Sequence, residues 1–305
     1  MNEKKKKTRF FSPARVLVIA RSTFTQLVRM KIFYFLAPIA LAFIALQFFD
    51  LPYYEGPEAN SAVAELRYHK TICLGTMMLF GCLFGIVSTA LLIPRDIEDR
   101  TLYTILCKPV PRLDYLVGKL LGVIAVIFIS MLVMDVLLMA TLYFRTQSVM
   151  TEIRPILAQN GYSEEDIARF MAGVREQGVS WTLQAGVFAH FLKATVLAGV
   201  ALLISTFSSS TLFTIATSTM VWIIGAAQAG ARSVWEESSS MVTKVLSSVL
   251  ALAFPNFKLF EAIADGAARV ENIVLDDVGK IAGLSFFYVG IYVVLSWFVF
   301  SDKEF

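Results

Sequence analysis

Six runs of mostly apolar residues, each about the length needed to cross a hydrocarbon layer as a helix, constrain this chain more than any other feature. They cover approximately residues 32–49, 71–93, 119–144, 183–207, 211–231 and 280–300. A bilayer core of about 30 Å takes roughly 20 helical residues, and within it an α-helix satisfies its own backbone groups. The expected fold class is therefore all-α: a polytopic membrane protein of six transmembrane helices. The first run is the shortest and contains Pro38, which should kink it rather than end it. A seventh apolar stretch, 241–254, is too short to cross and is expected to be interfacial or re-entrant. Composition excludes the soluble alternative: 57% of the 305 residues are hydrophobic and only 17% charged, too little polar surface to cover a water-facing sphere of this size.

Charge placement sets the expected orientation. Nine Lys and Arg precede residue 32, with Glu3 the only acid among them. The first apolar run starts too late for a secretory signal, and no nucleic-acid reader accompanies the cations. Cytosolic retention by the positive-inside rule accounts for them. The loop between the second and third spans then faces the cytosol with Arg95, Arg100, Lys108, Arg112 and Lys119, whereas 50–70 holds only Arg67 and Lys70 as cations. Six crossings bring the C-terminus back to the cytosol and place 50–70, 145–182 and 232–279 outside. Two regions follow: a basic terminus, 1–31, whose segment from Pro13 to Lys31 has the spacing of an amphipathic interfacial helix, and a membrane domain, 32–305. In the second outer segment, Ser163 followed by Glu164, Glu165 and Asp166 reads as the N-cap of a short helix through about Gly173.

Catalytic chemistry is hard to place on this chain. No phosphate-binding G-x-x-x-x-G-K-[ST] occurs, and His69 and His190 stand apart without an H-E-x-x-H, so neither ATP hydrolysis nor a zinc peptidase is expected. No metal ligand set or catalytic residue is assigned. Cys73, Cys82 and Cys107 lack a C-x-x-C spacing and read as packing residues.

The cytosolic loop is the informative stretch. A charged run, Arg95-Asp96-Ile97-Glu98-Asp99-Arg100, feeds an amphipathic turn carrying Thr101, Leu102, Ile105 and Leu106, then the break Pro109-Val110-Pro111, then a helix re-entering at Gly118-Lys119. This order resembles the loop of ABC type-2 transporter permeases, with Glu98, Thr101, Leu102, Leu106, Pro109, Arg112, Gly118 and Lys119 at the matching positions; Arg100 stands where many members have Gly. Phe254-Pro255-Asn256-Phe257 is similar to a Pro-Asn element before the last span of that family. The resemblance implies the permease subunit of an exporter in the inner, cytoplasmic membrane. Its partners would be two cytosolic ATP-binding subunits, which hold the ATP and Mg, and a second permease copy or paralogue; no cofactor is expected in this chain. Glu98, Asp99, Arg100, Thr101, Leu102, Leu106 and Arg112 would couple it to the ATPase. A rigid helix between proline breaks suits transmission of a push. A self-contained secondary transporter and a non-transporting membrane anchor remain alternatives on the sequence alone, and the cargo is not legible.

Ionisable residues inside spans are costly. At about 1.5 Å per residue, Asp135 and Lys193 come out at similar depth, so they are expected to meet, with His190 one turn away, as an ion pair or as part of a substrate or proton path. Gly81 and Gly85, and Gly118 and Gly122, form G-x-x-x-G faces that allow close helix approach, within the chain or between two permeases.

Overall fold

The computed structural model describes residues 12–49, 61–98, 110–208, 210–236, 254–271 and 273–301. Among them the regular structure is entirely helical. Helix α1, Pro13–Val28, starts with proline at its first turn, where the missing N–H breaks no helical bond, and buries Val16, Thr23 and Leu27. Helix α2, Lys31–Ala45, runs through Pro38 and closes in a 3-10 turn, Leu46–Phe48. Helices α3, Ser61–Glu98, and α4, Arg112–Gln159, have 38 and 48 residues. At about 1.5 Å per residue both are far longer than a bilayer core of about 30 Å and must project beyond it. A short helix α5, Glu164–Glu176, leads to α6, Trp181–Phe207, and α7, Thr211–Glu236. Then come α8, Lys258–Arg269, and α9, Leu275–Ser301.

Among the described residues five helices are long and apolar enough to cross a membrane; a sixth crossing is reached if α1 and α2, bent by 73° at their junction, form one broken span. The chain is a multi-pass membrane protein. Helix α6 is its central pillar. It is apolar nearly all round, rich in Ala and Gly, and buried along most of its length, as expected of a helix walled by neighbours rather than by solvent. It packs against α3, α4, α7, α8 and α9.

Several helix ends differ from the sequence expectation. Helix α3 begins at Ser61, ten residues before the expected start, and α4 continues to Gln159 rather than ending near 144. The polar turns added are held by tertiary contacts that hydropathy does not see. Arg145 pairs with Glu65, His69 Nε2 lies 3.3 Å from Thr141 Oγ1, and the fully buried Lys70 donates to Gln177 Oε1 at 2.7 Å. Helix α5 starts where the Ser163 cap places it: the Asp166 amide donates to Ser163 Oγ at 3.2 Å, and the hydroxyl donates to the Asp166 carboxylate at 2.8 Å. The stretch 241–253 lies outside the described residues.

Candidate functional site

At one end of the bundle, here called the base, the described end of α3 and the start of α4 flank residues 99–109 and carry a dense set of charges. Arg112, Tyr115 and Lys119 share a face of α4 because three- and four-residue steps keep one side of a helix. Asp96, only 4% exposed, accepts a hydrogen bond from Tyr115 Oη at 2.6 Å and pairs with Lys119 Nζ at 2.7 Å. Arg15 of α1 reaches Asp114 at 2.8 Å, and Lys119 also donates to Gln26 of α1 at 3.3 Å. Arg112 donates to the backbone carbonyls of Phe300 and Ser301, both at 2.6 Å. Those carbonyls lie in the last described turn of α9, toward the negative end of its dipole. The Tyr115 and Phe300 rings stack at 5.9 Å. One ionic and aromatic cluster thus ties both flanks of 99–109 to α1, α4 and α9.

Glycines set how closely the cluster's helices approach. A methyl group added to Gly118 would stand 2.7 Å from Ile19 Cβ, and one on Gly122 2.6 Å from Thr23 Cβ, so α1 lies directly on the α4 backbone. Further along the bundle, a Cβ on Gly85 would stand 2.8 Å from the Ala194 carbonyl oxygen, and one on Gly81 3.0 Å from Met131 Cε. All four mark close approaches inside the chain.

A second polar centre lies deep in the bundle. Lys193 is fully buried and pairs with Glu261 of α8 at 2.5 Å; its Nζ is 3.2 Å from Met78 Sδ and 5.7 Å from the ring centroids of both Trp222 and Phe257. At about 1.5 Å per residue Lys193 stands roughly 21 Å from the Phe207 end of α6, inside a span of about 30 Å. Helix α8 therefore begins within the bundle. Its entry is fixed by Pro255-Asn256-Phe257, whose Phe257 amide donates to the Gly225 carbonyl at 3.3 Å, and a Cβ at Gly225 would collide with the Phe257 ring and the Pro255 carbonyl. A carboxylate delivered by α8 neutralises a lysine that α6 would otherwise hold uncompensated in an apolar medium.

The expected meeting of Asp135 with Lys193 is not found. Asp135 Oδ1 instead accepts from Gln184 Nε2 at 3.2 Å. The reason is register: α4 runs on past residue 144, so its middle does not coincide with that of the apolar run, and Asp135 lies level with Gln184, roughly 13 Å along α6 from Lys193. His190 is 3% exposed and its Nδ1 has no hydrogen bond among the described residues. Of the coupling residues, Arg112 is placed as above, Glu98 is the last residue of α3, and Asp99, Arg100, Thr101, Leu102 and Leu106 lie outside the described residues. Sequence reasoning assigned no role to Asp96, Asp114, Tyr115 or Glu261, and expected Arg15 at lipid phosphates where it instead pairs with Asp114. The available signal was the spacing of Tyr115 and Lys119, four residues apart on a helix entering the membrane.

Comparison with known families places the chain. The family model described as "ABC-2 family transporter protein" matches residues 17–256, well over half of the sequence, from within α1 to the entry of α8. Among curated proteins no match is found.

Proposed function

The chain belongs to the ABC-2 transporter family, and from that premise we propose that it is the permease subunit of an exporter driven by separate cytosolic ATP-binding subunits. In this reading the base faces the cytosol, residues 98–106 receive the ATP-binding subunit, and a second copy or paralogue completes the path. The observation that carries it is the construction of the base. A segment that takes a mechanical load needs rigid anchorage at both ends, and 99–109 is flanked by Asp96 on one side and by Arg112, Asp114, Tyr115 and Lys119 on the other, bonded to α1, α4 and α9. Movement of the segment would drive those helices together, as rigid-body transitions require. Nucleotide chemistry stays with the partner, which supplies the ATP and Mg site.

The test is affinity purification of the chain from its native membrane, with Mg-dependent ATP hydrolysis measured on the purified material. Wild type should bring ATPase activity with it. Glu98→Lys and Arg100→Glu should insert normally yet lower the recovered activity roughly tenfold, a usual size for coupling between sites. If wild type carries no ATPase, the exporter reading fails; if both reversals match wild type, the loop is not the contact.

A further inference from the structure

Between α4 and α6 a cleft of about 240 Å³ opens on the side of the bundle, lined by Phe128, Met131, Leu132, Val187, Phe188 and Phe191, with Asp135 and Gln184 closing one end. Its walls are almost wholly apolar, and Phe128 and Leu132 are half exposed on its rim. Phe191 packs edge-on to Phe128 at 5.7 Å and stacks with Phe188 at 6.1 Å, so the end away from Asp135 is a preformed aromatic surface. The cleft runs from near the middle of the span at Phe128 and Phe191 toward the end remote from the base at Asp135 and Gln184.

Asp135 is the anomaly. It is 8% exposed, and its one hydrogen-bond partner among the described residues is the neutral Gln184 amide. No cation among the described residues pairs with it, because Lys193 is engaged by Glu261 and Arg145 by Glu65. A carboxylate in an apolar wall without a counter-charge is costly, and this one borders an open cleft from which a cation can reach it. The volume is below that of sites that enclose drug-sized ligands, about 300–1,000 Å³. It therefore suits part of an amphiphile whose remainder stays in the bilayer, and it is small for a cargo passage.

We propose that this cleft is a binding site for an ammonium-headed membrane lipid, taken from the leaflet remote from the base, with its ammonium on Asp135 and an acyl chain along Phe128, Phe188 and Phe191. Charge complementarity selects the head, and the aromatic floor takes the chain. The site needs only the chain's membrane-spanning architecture and is independent of a partner ATPase.

The experiment is native mass spectrometry of the purified full chain, delipidated and then exposed to phosphatidylethanolamine or phosphatidylglycerol, which differ in the ammonium. Wild type should retain phosphatidylethanolamine adducts. Asp135→Asn should weaken that retention roughly tenfold, the worth of one charge-assisted hydrogen bond, and leave phosphatidylglycerol adducts unchanged. Leu132→Trp, which fills the cleft while keeping the carboxylate, should likewise weaken phosphatidylethanolamine retention. Equal retention of phosphatidylethanolamine by wild type and both variants overturns the proposal. So does a fall in dimer content without a change in lipid retention, because a second copy would then be the occupant. If Asp135→Asn does not fold, Leu132→Trp decides alone.

Discussion

The Asp96–Lys119 pair illustrates how single residues hold the base. Both side chains are about 6% exposed, so neither charge is well served by water; they pair with each other, Tyr115 donates to Asp96 and Lys119 donates to Gln26. Removing one member of such a pair typically costs about 3–5 kcal/mol, chiefly because the survivor is left uncompensated. Lys119→Met is thus expected to lower unfolding stability in detergent by about that amount. Adding Asp96→Asn to it should recover a large part, the signature of direct coupling in a double-mutant cycle. Additive losses would mean that the two groups act independently. Arg112 bonds two α9 carbonyls and so secures the described end of that helix.

At the level of elements, the contact of α1 with α4 is made by absence of side chains. Gly118 and Gly122 put the two backbones within reach of each other, and the buried face of α1, Val16, Thr23 and Leu27, lies along that seam. Leucine at position 122 cannot be accommodated without displacing Thr23 and the Ala20 carbonyl. Gly122→Leu should therefore undock α1, and a cysteine replacing Val16, 4% exposed in the native fold, should pass from protected to freely labelled by maleimide. Continued protection would show that α1 is held mainly by Arg15–Asp114 and Lys119–Gln26. Helix α8 follows a different logic. It is short, ends at Val270 in the left-handed region with φ 58°, and is held by what it buries: Phe260, Ala264 and Ala267, together with Glu261 against Lys193.

For the whole molecule, the proposed orientation fixes which end each solvent meets. In that proposed orientation the base, with Arg112 and Ser301, would face the cytosol and α5 the opposite side. In a Cys107→Ser background, with Cys73 and Cys82 buried, an impermeant maleimide should label a cysteine at Glu164 in right-side-out vesicles. A cysteine at Ser301 should be labelled only after permeabilisation. Labelling of Ser301→Cys in sealed vesicles would invert the topology and remove the base as a contact for a cytosolic motor. The length of α3 and α4 makes this measurement decisive, because both project well past about 30 Å of hydrocarbon and expose a large polar ledge around α5.

The apolar helical runs that suit lipid, the short helix capped by Ser163 and the turn between α6 and α7 were determined by the sequence alone, whereas α8 was not legible there. Transfer of apolar side chains and satisfaction of backbone groups are summed along the chain, so a run such as 183–207 is recognisable without knowledge of its neighbours. The loop pattern around Glu98 and Arg112 was legible for the same reason, as a local order of charges, prolines and small residues. Partnership was decided only by the tertiary structure. Lys193 meets Glu261 across 68 residues and Asp135 meets Gln184, because contacts between helices depend on their relative register and rotation. The polar turns that extend α3 and α4 were likewise invisible to hydropathy. Arg145 and Lys70 are stable there because folding brings Glu65 and Gln177 to them, and no property of a residue taken singly encodes its neighbour's position.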